Sequence, residues 1–380
     1  MTTFGFLSTY PPTRCGLATF TEALASATPG AGDPDSRVVR VDDLVPTGPA
    51  VPSVRTRVVG DLRPGSTDSR VDTARTLDAC DVVVVQHEYG IYGGPDGDEI
   101  LDVLARLSAP TVVVFHTVRE HPTAHQRWVL DRIGGLASAV VVMTRAAEDL
   151  LARQYAIPAS KVRVIPHGVA AWAPTAPLVP IAAATRPTVL TWGLIGPGKG
   201  IEWGIRALAA CDDRQPRPRY VVAGQTHPKV LADAGEAYRD SLAALARELG
   251  VGDDVVLDGR YLDGAELAAL VATADVVLLP YDTSEQTTSG VLVEAIAAGK
   301  PVVATRFPHS LELLTGGAGL LVDHGDPAQI AAALATILGR RGVAARMSVA
   351  GVAESAETGW DDVGRQYRRL GAALLQTAAA

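Results

Sequence analysis

From residue 189 the chain reads Val-Leu-Thr-Trp-Gly-Leu-Ile-Gly-Pro-Gly-Lys-Gly, ending at Gly200, and helix-forming sequence follows from Ile201. A short apolar run without alternation reads as a strand buried on both faces, the kind that parallel sheets contain. A glycine-rich turn leading straight from such a strand into a helix is the repeating unit of a doubly wound α/β fold. Gly193, Gly198 and Lys199 nearly spell the phosphate-binding pattern G-x-x-x-x-G-K-[ST]. Gly200 stands where that pattern requires a hydroxyl to hold magnesium. What remains is an anion cradle with a lysine at a helix N-terminus, suited to a pyrophosphate held without a metal.

The same unit recurs outward in both directions. Valine-rich runs stand at 4–7, 38–41, 82–86, 111–115, 140–143 and 162–166, and again at 189–192, 220–223, 255–257, 276–279, 302–305 and 320–322. Helix-like stretches between them supply right-handed crossovers, so two successive series predict two doubly wound domains. Between the series lies AAWAPTAPLVPIAAATRP, with Pro174, Pro177, Pro180 and Pro187. Proline at that density sustains neither a helix nor a central strand, and the stretch reads as a linker. The expected division is 1–170, a linker at 171–187, and 188–359. Residues 360–378 carry Val363, Tyr367, Leu370 and Leu374 at helical spacing. They form either a last helix of the second domain or a helix crossing back onto the first.

At 380 residues the chain exceeds one small core, in agreement with two domains. Lys and Arg number 34 against 42 Asp and Glu, a net charge of −8, which argues against broad binding to nucleic acid. Cys15, Cys80 and Cys211 are far apart, so neither a disulfide framework nor a cysteine zinc site is expected. The opening MTTFGFLSTYPP has no basic region before an apolar one, and no run approaches the roughly 20 apolar residues of a membrane span. The expectation is a soluble, cytoplasmic protein without a transmembrane segment.

In doubly wound folds ligands gather at the carboxyl ends of the strands, so the loops that follow the strands carry the functional reading. After the first strand, STYPPTRCG ends at Gly16 where a helix begins. A glycine there admits an anion to the backbone amides, although a plain turn would read the same way. Gln86, His87, Glu88, Tyr89 and Tyr92 lie in one polar, aromatic, glycine-rich stretch able to hydrogen-bond and stack against a sugar. His116 follows the run 111–115; a lone histidine is more often structural, but one at the end of a buried strand is expected to point into the cleft. His121 and His125 stand four apart, a metal-like spacing, but Pro122 intervenes and no third ligand is evident. Further on, Ser289 and Gly290 read as a helix start presenting free amides, and Glu294, one turn in, is placed to accept from a ribose diol.

Taken in order, these loops resemble the family-4 glycosyltransferases, retaining enzymes of the GT-B fold, over nearly the whole chain. STYPPTRCGLATF resembles the family's N-terminal glycine loop, VIPHGV with Gly168 its domain end, and GLIGPGKGIE its phosphate loop. GQTHPKV, GEAYRDSL and PYDTSEQTTSG look like those of a particular subgroup. The resemblance implies two Rossmann-like domains facing a central cleft, with acceptor bound by the first and nucleotide sugar by the second. It makes the alternative in which the helix at 360–378 packs back onto the first domain the expected one.

Carried over by position, the resemblance implies a donor site of Gly193, Gly198, Lys199, Gln286, Thr288, Ser289, Gly290 and Glu294. Lys199 would touch the diphosphate and Glu294 the ribose. His116, Lys199 and Gly16 would surround the reacting sugar and leaving phosphate. Arg14, Gln86, His87, Glu88, Tyr89 and Tyr92 would shape the acceptor side, Arg14 being also a candidate cation for the phosphate. Two positions depart from the family. Leu194 replaces an arginine, and the paired glutamates eight apart become Gln286 and Glu294, with Glu285 one position out of register. The implied reaction is metal-independent, cofactor-free, retaining transfer of a hexose from a GDP- or UDP-sugar to a hydroxyl. The alternatives are a phosphorylase or epimerase on the same fold, or a non-catalytic nucleotide-sugar-binding protein.

Overall fold

Val82, Val83, Val84 and Val85 are all wholly inaccessible to solvent. A strand covered on both faces needs helices on both faces of its sheet, and that requirement organises each half of the chain. The computed structural model describes residues 1–42, 55–170, 186–211 and 217–379. They fall into two units, Met1–Ala170 with Glu357–Ala380, and Ala171–Ala356. Most of the stretch expected as a linker, 171–185, lies outside the described residues.

The first unit runs β1 Phe4–Ser8, α1 Gly16–Ala27, β2 Ser36–Val41, β3 Thr56–Leu62, α2 Thr67–Leu77, β4 Val82–His87, α3 Ile100–Leu104, β5 Thr111–Phe115, α4 Ala124–Leu136, β6 Ala139–Val142, α5 Arg145–Gln154 and β7 Val162–Val164. Its seven strands are parallel in the order β3-β2-β1-β4-β5-β6-β7. Alternate residues divide between two cores. Leu7, Val85, Val113 and Val140 pack on one side of the sheet, and Phe6, Val84, Val114 and Val141 on the other.

The second unit runs β8 Thr188–Trp192, α6 Ile201–Ala209, β9 Arg219–Ala223, α7 Pro228–Ala234, α8 Ala237–Glu248, β10 Val255–Asp258, α9 Gly264–Thr273, β11 Val276–Leu279, α10 Gly290–Ala297, β12 Val302–Thr305, α11 Pro308–Leu314, β13 Gly319–Val322, α12 Pro327–Gly339 and α13 Arg341–Glu354. Its six strands, also parallel, take the order β10-β9-β8-β11-β12-β13. Both sheets are doubly wound α/β sheets, as the strand pattern predicts.

The returning helix α14, Trp360–Ala379, belongs to the first unit. Val363, Tyr367 and Leu370 enter the core formed by Phe4, Phe6, Phe20 and Leu24, so α14 and α1 together roof one face of the sheet. The returning chain is tied down just before the helix, where Val169 and Gly359 form a parallel bridge. No helix among the described residues is long and apolar enough to cross a membrane.

Strand β3 is the element the sequence pattern misses. Val58 and Val59 are exposed at 45% and 41%, and Gly60 and Asp61 interrupt the run. An edge strand has one neighbour and little burial, so it carries no hydrophobic signature.

Helix α14 approaches α1 so closely that a Cβ on Gly364 would lie 2.3 Å from the Ala27 carbonyl oxygen. Gly364→Ala is therefore expected to destabilise the first unit by about 1–3 kcal/mol through overpacking. A Cβ on Gly135, in an exposed turn of α4, meets nothing within 4 Å. Gly135→Ala should stabilise by up to about 1 kcal/mol. Denaturant unfolding of both variants checks the contrast, and equal shifts would contradict the packing described.

Candidate functional site

In a doubly wound sheet the ligand crevice opens where neighbouring strands send their crossovers to opposite faces. Those neighbours are β1 and β4 in the first unit, and β8 and β11 in the second. The loops leaving these strands are the ones whose sequence stands out.

In the first unit β1 leads through Thr9–Cys15 to α1. The Cys15 sulfur caps the helix by accepting from the Ala18 amide at 3.4 Å. Gly16 and Arg14 are exposed, and the space a Gly16 side chain would fill is open. After β4, Glu88 accepts from the Thr117 hydroxyl at 2.6 Å and from the Tyr89 amide at 3.0 Å. His87 and Tyr92, expected at the acceptor side, point instead into the core. His87 is wholly inaccessible, and the buried Tyr92 hydroxyl donates to the Gln86 carbonyl at 2.7 Å. His87 lies inside because it is the last residue of β4, paired with Phe115 and packed edge-on against the Phe115 and Tyr89 rings. Tyr92 lies inside because the loop folds down over the strand end and its aromatic residues cover the apolar core.

His116 lies beside Gln86, its Nε2 donating to the amide oxygen at 2.7 Å. An amide oxygen only accepts, so Nε2 carries the proton and Nδ1 is left as an acceptor. The ring of Phe20 meets His116, His167 and Trp360 edge-on at centroid distances of 4.8, 5.0 and 5.0 Å. His116 keeps a partly exposed edge. Burial of its ring, with His167 and His87 adding to the effect, nevertheless lowers its pKa to about 3. Burial also lowers His87 to about 3 and His167 to about 4. All three imidazoles are neutral at pH 7, so His116 serves there as a hydrogen-bonding group and not as a cation.

In the second unit β8 ends at Trp192 and the glycine loop begins. Gly193 and Ile195 donate to the Ala223 and Gln225 carbonyls at 3.1 and 2.9 Å, which fastens the loop to the end of β9. On its other side the loop meets the end of β11. Gly200 has φ 62°, and a Cβ there would stand 1.8 Å from the Pro280 carbonyl oxygen, so only glycine fits. The Asp282 amide donates to Gly198 at 3.0 Å, and the Trp203 indole donates to the Asp282 carboxylate at 2.6 Å. The Lys199 side chain is half-buried, with Nζ 4.5 Å from the centre of the Tyr281 ring. That contact holds a flexible cation in place, contributing roughly 0.5–2 kcal/mol. Helix α6 starts at once, and its first amides have no intrahelical acceptor.

Helix α10 begins next to this loop, a Cβ on Gly193 lying 3.8 Å from Val291. Ser289 caps α10 through its hydroxyl, which accepts from the Leu292 amide at 3.3 Å. Its own amide is not free as expected, because it donates to Nδ1 of the buried His309 at 2.8 Å. The donors left at this helix start are Gly290 and Val291. Gln286 and Glu285 precede the helix, so the helical offset between them does not apply. The Gln286 amide nitrogen donates to the Thr288 carbonyl at 2.5 Å, leaving its oxygen for other partners. Glu294 accepts from the Trp192 indole at 3.2 Å. Burial raises its pKa, and the indole contact partly offsets the rise.

Sequence reasoning passes over Trp192, Tyr281 and His309, which set the positions of Glu294, Lys199 and Ser289. Trp192 and Tyr281 stand at or just beyond the end of a buried strand, which was the available signal, whereas His309 lies in the first turn of α11 and carried none. His121 and His125 do not share a helix face, because α4 begins at Ala124 after a Thr123 cap. His125 pairs with Asp96 at 2.9 Å. No group of three side chains able to hold a metal gathers among the described residues.

A family model described as "Glycosyl transferases group 1" matches residues 186–340, and another, "Glycosyltransferase Family 4", matches residues 24–171. The D-inositol 3-phosphate glycosyltransferase of Corynebacterium glutamicum (strain R) is 32% identical over 185 residues, 47% of this chain and 41% of that protein. Its namesake in Kineococcus radiotolerans is 34% identical over 226 residues, 53% of this chain and 49% of that protein. The chain thus matches less than half the length of these relatives. Among solved structures, Anabaena Alr3699/HepE in complex with UDP superposes with a TM-score of 0.76 at 19% identity, covering 98% of this chain and 100% of that one. At that identity the likeness is one of fold.

The buried imidazoles carry a pH signature. Unfolded histidine titrates near 6.5, whereas these three titrate far lower in the fold, so below about pH 6.5 the unfolded state binds more protons. Stability of the first unit should be complete above that pH. It should fall by up to about 1.4 kcal/mol per pH unit for each histidine between there and the folded pKa. Denaturant unfolding at pH 7.5, 6 and 5 measures the slope, and NMR should find His116 neutral at pH 5. A His116 resonance titrating near 6.5 would contradict this environment.

Proposed function

The chain belongs to the group 1, family-4 glycosyltransferases, and on that footing we propose that it transfers a hexose from a nucleoside-diphosphate sugar to a hydroxyl acceptor. The observation that carries the proposal is the convergence in the second unit of Lys199, the start of α6 and the start of α10, with Glu294 beside them. A lysine and two helix starts suit a diphosphate, and a buried carboxylate suits a pair of ribose hydroxyls. Gly193, Gly198, Lys199 and Gly290 receive the diphosphate, Glu294 the ribose, and Gln286 and Thr288 the sugar. The UDP bound by the Anabaena neighbour supports testing UDP-sugars before GDP-sugars. The name of the curated relatives supports polyol phosphates as the first acceptors to try.

The reaction retains configuration without a protein nucleophile. The bond from the anomeric carbon to the phosphate oxygen loosens, and charge accumulates on the departing phosphate. In this reading Lys199 and the helix amides stabilise that charge, and a set held in place beforehand does so with little rearrangement. The leaving phosphate oxygen accepts the proton of the attacking hydroxyl as the new bond forms on the same face. In the first unit the neutral His116 offers Nδ1 to a sugar hydroxyl. Gly200 occupies the position of a magnesium-binding hydroxyl, which supports transfer without a metal. Leu194 in place of arginine supports a second reading, a protein that binds nucleotide sugar without turnover.

Lys199→Ala should weaken nucleoside-diphosphate binding by about 1.5–3 kcal/mol, as calorimetry would read, because a charge-assisted contact is lost. Unchanged affinity would remove Lys199 from the site. Transfer should persist in excess EDTA, and NMR of the product should show the donor's anomeric configuration. Abolition by EDTA with rescue by magnesium would overturn metal independence, and binding without transfer or slow hydrolysis would favour the second reading.

A further inference from the structure

One oxygen of the Glu294 carboxylate already accepts a hydrogen bond from within the protein. Trp192 donates its indole N–H to Oε2 at 3.2 Å. Both partners are held from behind. Trp192 is the last residue of β8, paired in register with Ala223 of β9 and 5% exposed. Glu294 sits in α10 among the buried Leu292, Val293, Ala295 and Ile296. An indole N–H donates and never accepts, so it can bond only an oxygen that carries a lone pair toward it. A carboxylate with rotational freedom would lose that freedom on binding, whereas one pinned at Oε2 has its other oxygen already directed.

We propose that Trp192 is a positioning residue: by holding Oε2 of Glu294 it presents Oε1 as the acceptor for a ribose hydroxyl of the bound nucleoside diphosphate. The inference rests on the reading of Glu294 as the ribose partner and adds the residue that makes the carboxylate ready. Burial raises the pKa of Glu294 and the Trp192 bond opposes that rise, which favours the carboxylate that accepts at both oxygens over the protonated form that donates at one. Sequence reading places Trp192 only as the apolar end of a strand, a role a phenylalanine would fill equally. The geometry assigns the N–H a separate purpose.

The test is calorimetric binding of UDP and GDP, each alongside its 2′,3′-dideoxy form, to the wild-type protein, Trp192→Phe and Glu294→Gln. Phenylalanine keeps an aromatic ring in the core while deleting the donor and one ring of the indole, and the dideoxy comparison separates the loss of packing, which both forms feel, from the loss of the donor. The account expects Trp192→Phe to lose about tenfold in affinity for the ribonucleotide, about 1.4 kcal/mol, and less than about twofold for the dideoxy form. If the wild type binds both forms alike, and Glu294→Gln changes neither, the ribose reading of Glu294 is wrong and the inference goes with it. If the wild type discriminates and Glu294→Gln does not, while Trp192→Phe behaves as wild type, Glu294 stands and Trp192 does not position it. Equal loss for both forms would make the indole a packing residue. If neither nucleotide binds the wild type, both ideas fall. Should Trp192→Phe not fold, 3-benzothienylalanine at position 192 replaces the N–H with sulfur at nearly the same volume and is read in the same way.

Discussion

The contact on which the second unit's candidate site depends is the approach of Gly200 to the carbonyl of Pro280. No side chain fits between them, and that closeness brings the end of β8 and the end of β11 into one surface. Asp282 then bonds Gly198, Trp203 bonds Asp282, and Tyr281 lies under the ammonium of Lys199. Lysine and helix amides are thus organised before any ligand arrives. Preorganisation of this sort is what allows electrostatic stabilisation to act on a developing charge without first reordering the protein.

The first unit solves a different problem. Its sheet ends in a cluster of His87, His116 and His167 that burial keeps neutral. His116 is tied to Gln86 and packed against Phe20, so its orientation is fixed although its charge is absent. Trp360 of α14 packs against the same Phe20 ring. The helix that completes the hydrophobic core thus also shapes the surroundings of the histidine. Stability and site geometry are joined here through one phenylalanine.

Much of this was legible in the sequence because parallel strands buried on both faces must be continuously apolar. The valine runs at 82–86 and 276–279 could have been little else. The glycine loop was legible for a similar reason, since backbone crowding leaves few alternatives to glycine at Gly200. What escaped was decided by tertiary contacts that have no sequence period. Strand β3 is an exposed edge; His87 looks like a ligand-facing residue until it is seen to end β4 inside the sheet, and Tyr92 until the loop is seen to fold inward. Ser289 reads as an open helix start until His309 takes its amide. Tyr281 and Trp192 look like ordinary core aromatics because their polar partners, Lys199 and Glu294, lie 82 and 102 residues away along the chain.

The central claim is that one preorganised surface of the second unit, formed by the loop after β8 and the start of α10, receives a nucleoside diphosphate. Hydrogen–deuterium exchange of the full chain, with and without UDP or GDP, addresses it directly because it reports on backbone amides throughout the chain. The account predicts slowed exchange in residues 193–202 and 288–294 when the diphosphate binds. Protection confined to other segments, in the presence of demonstrated binding, would contradict it.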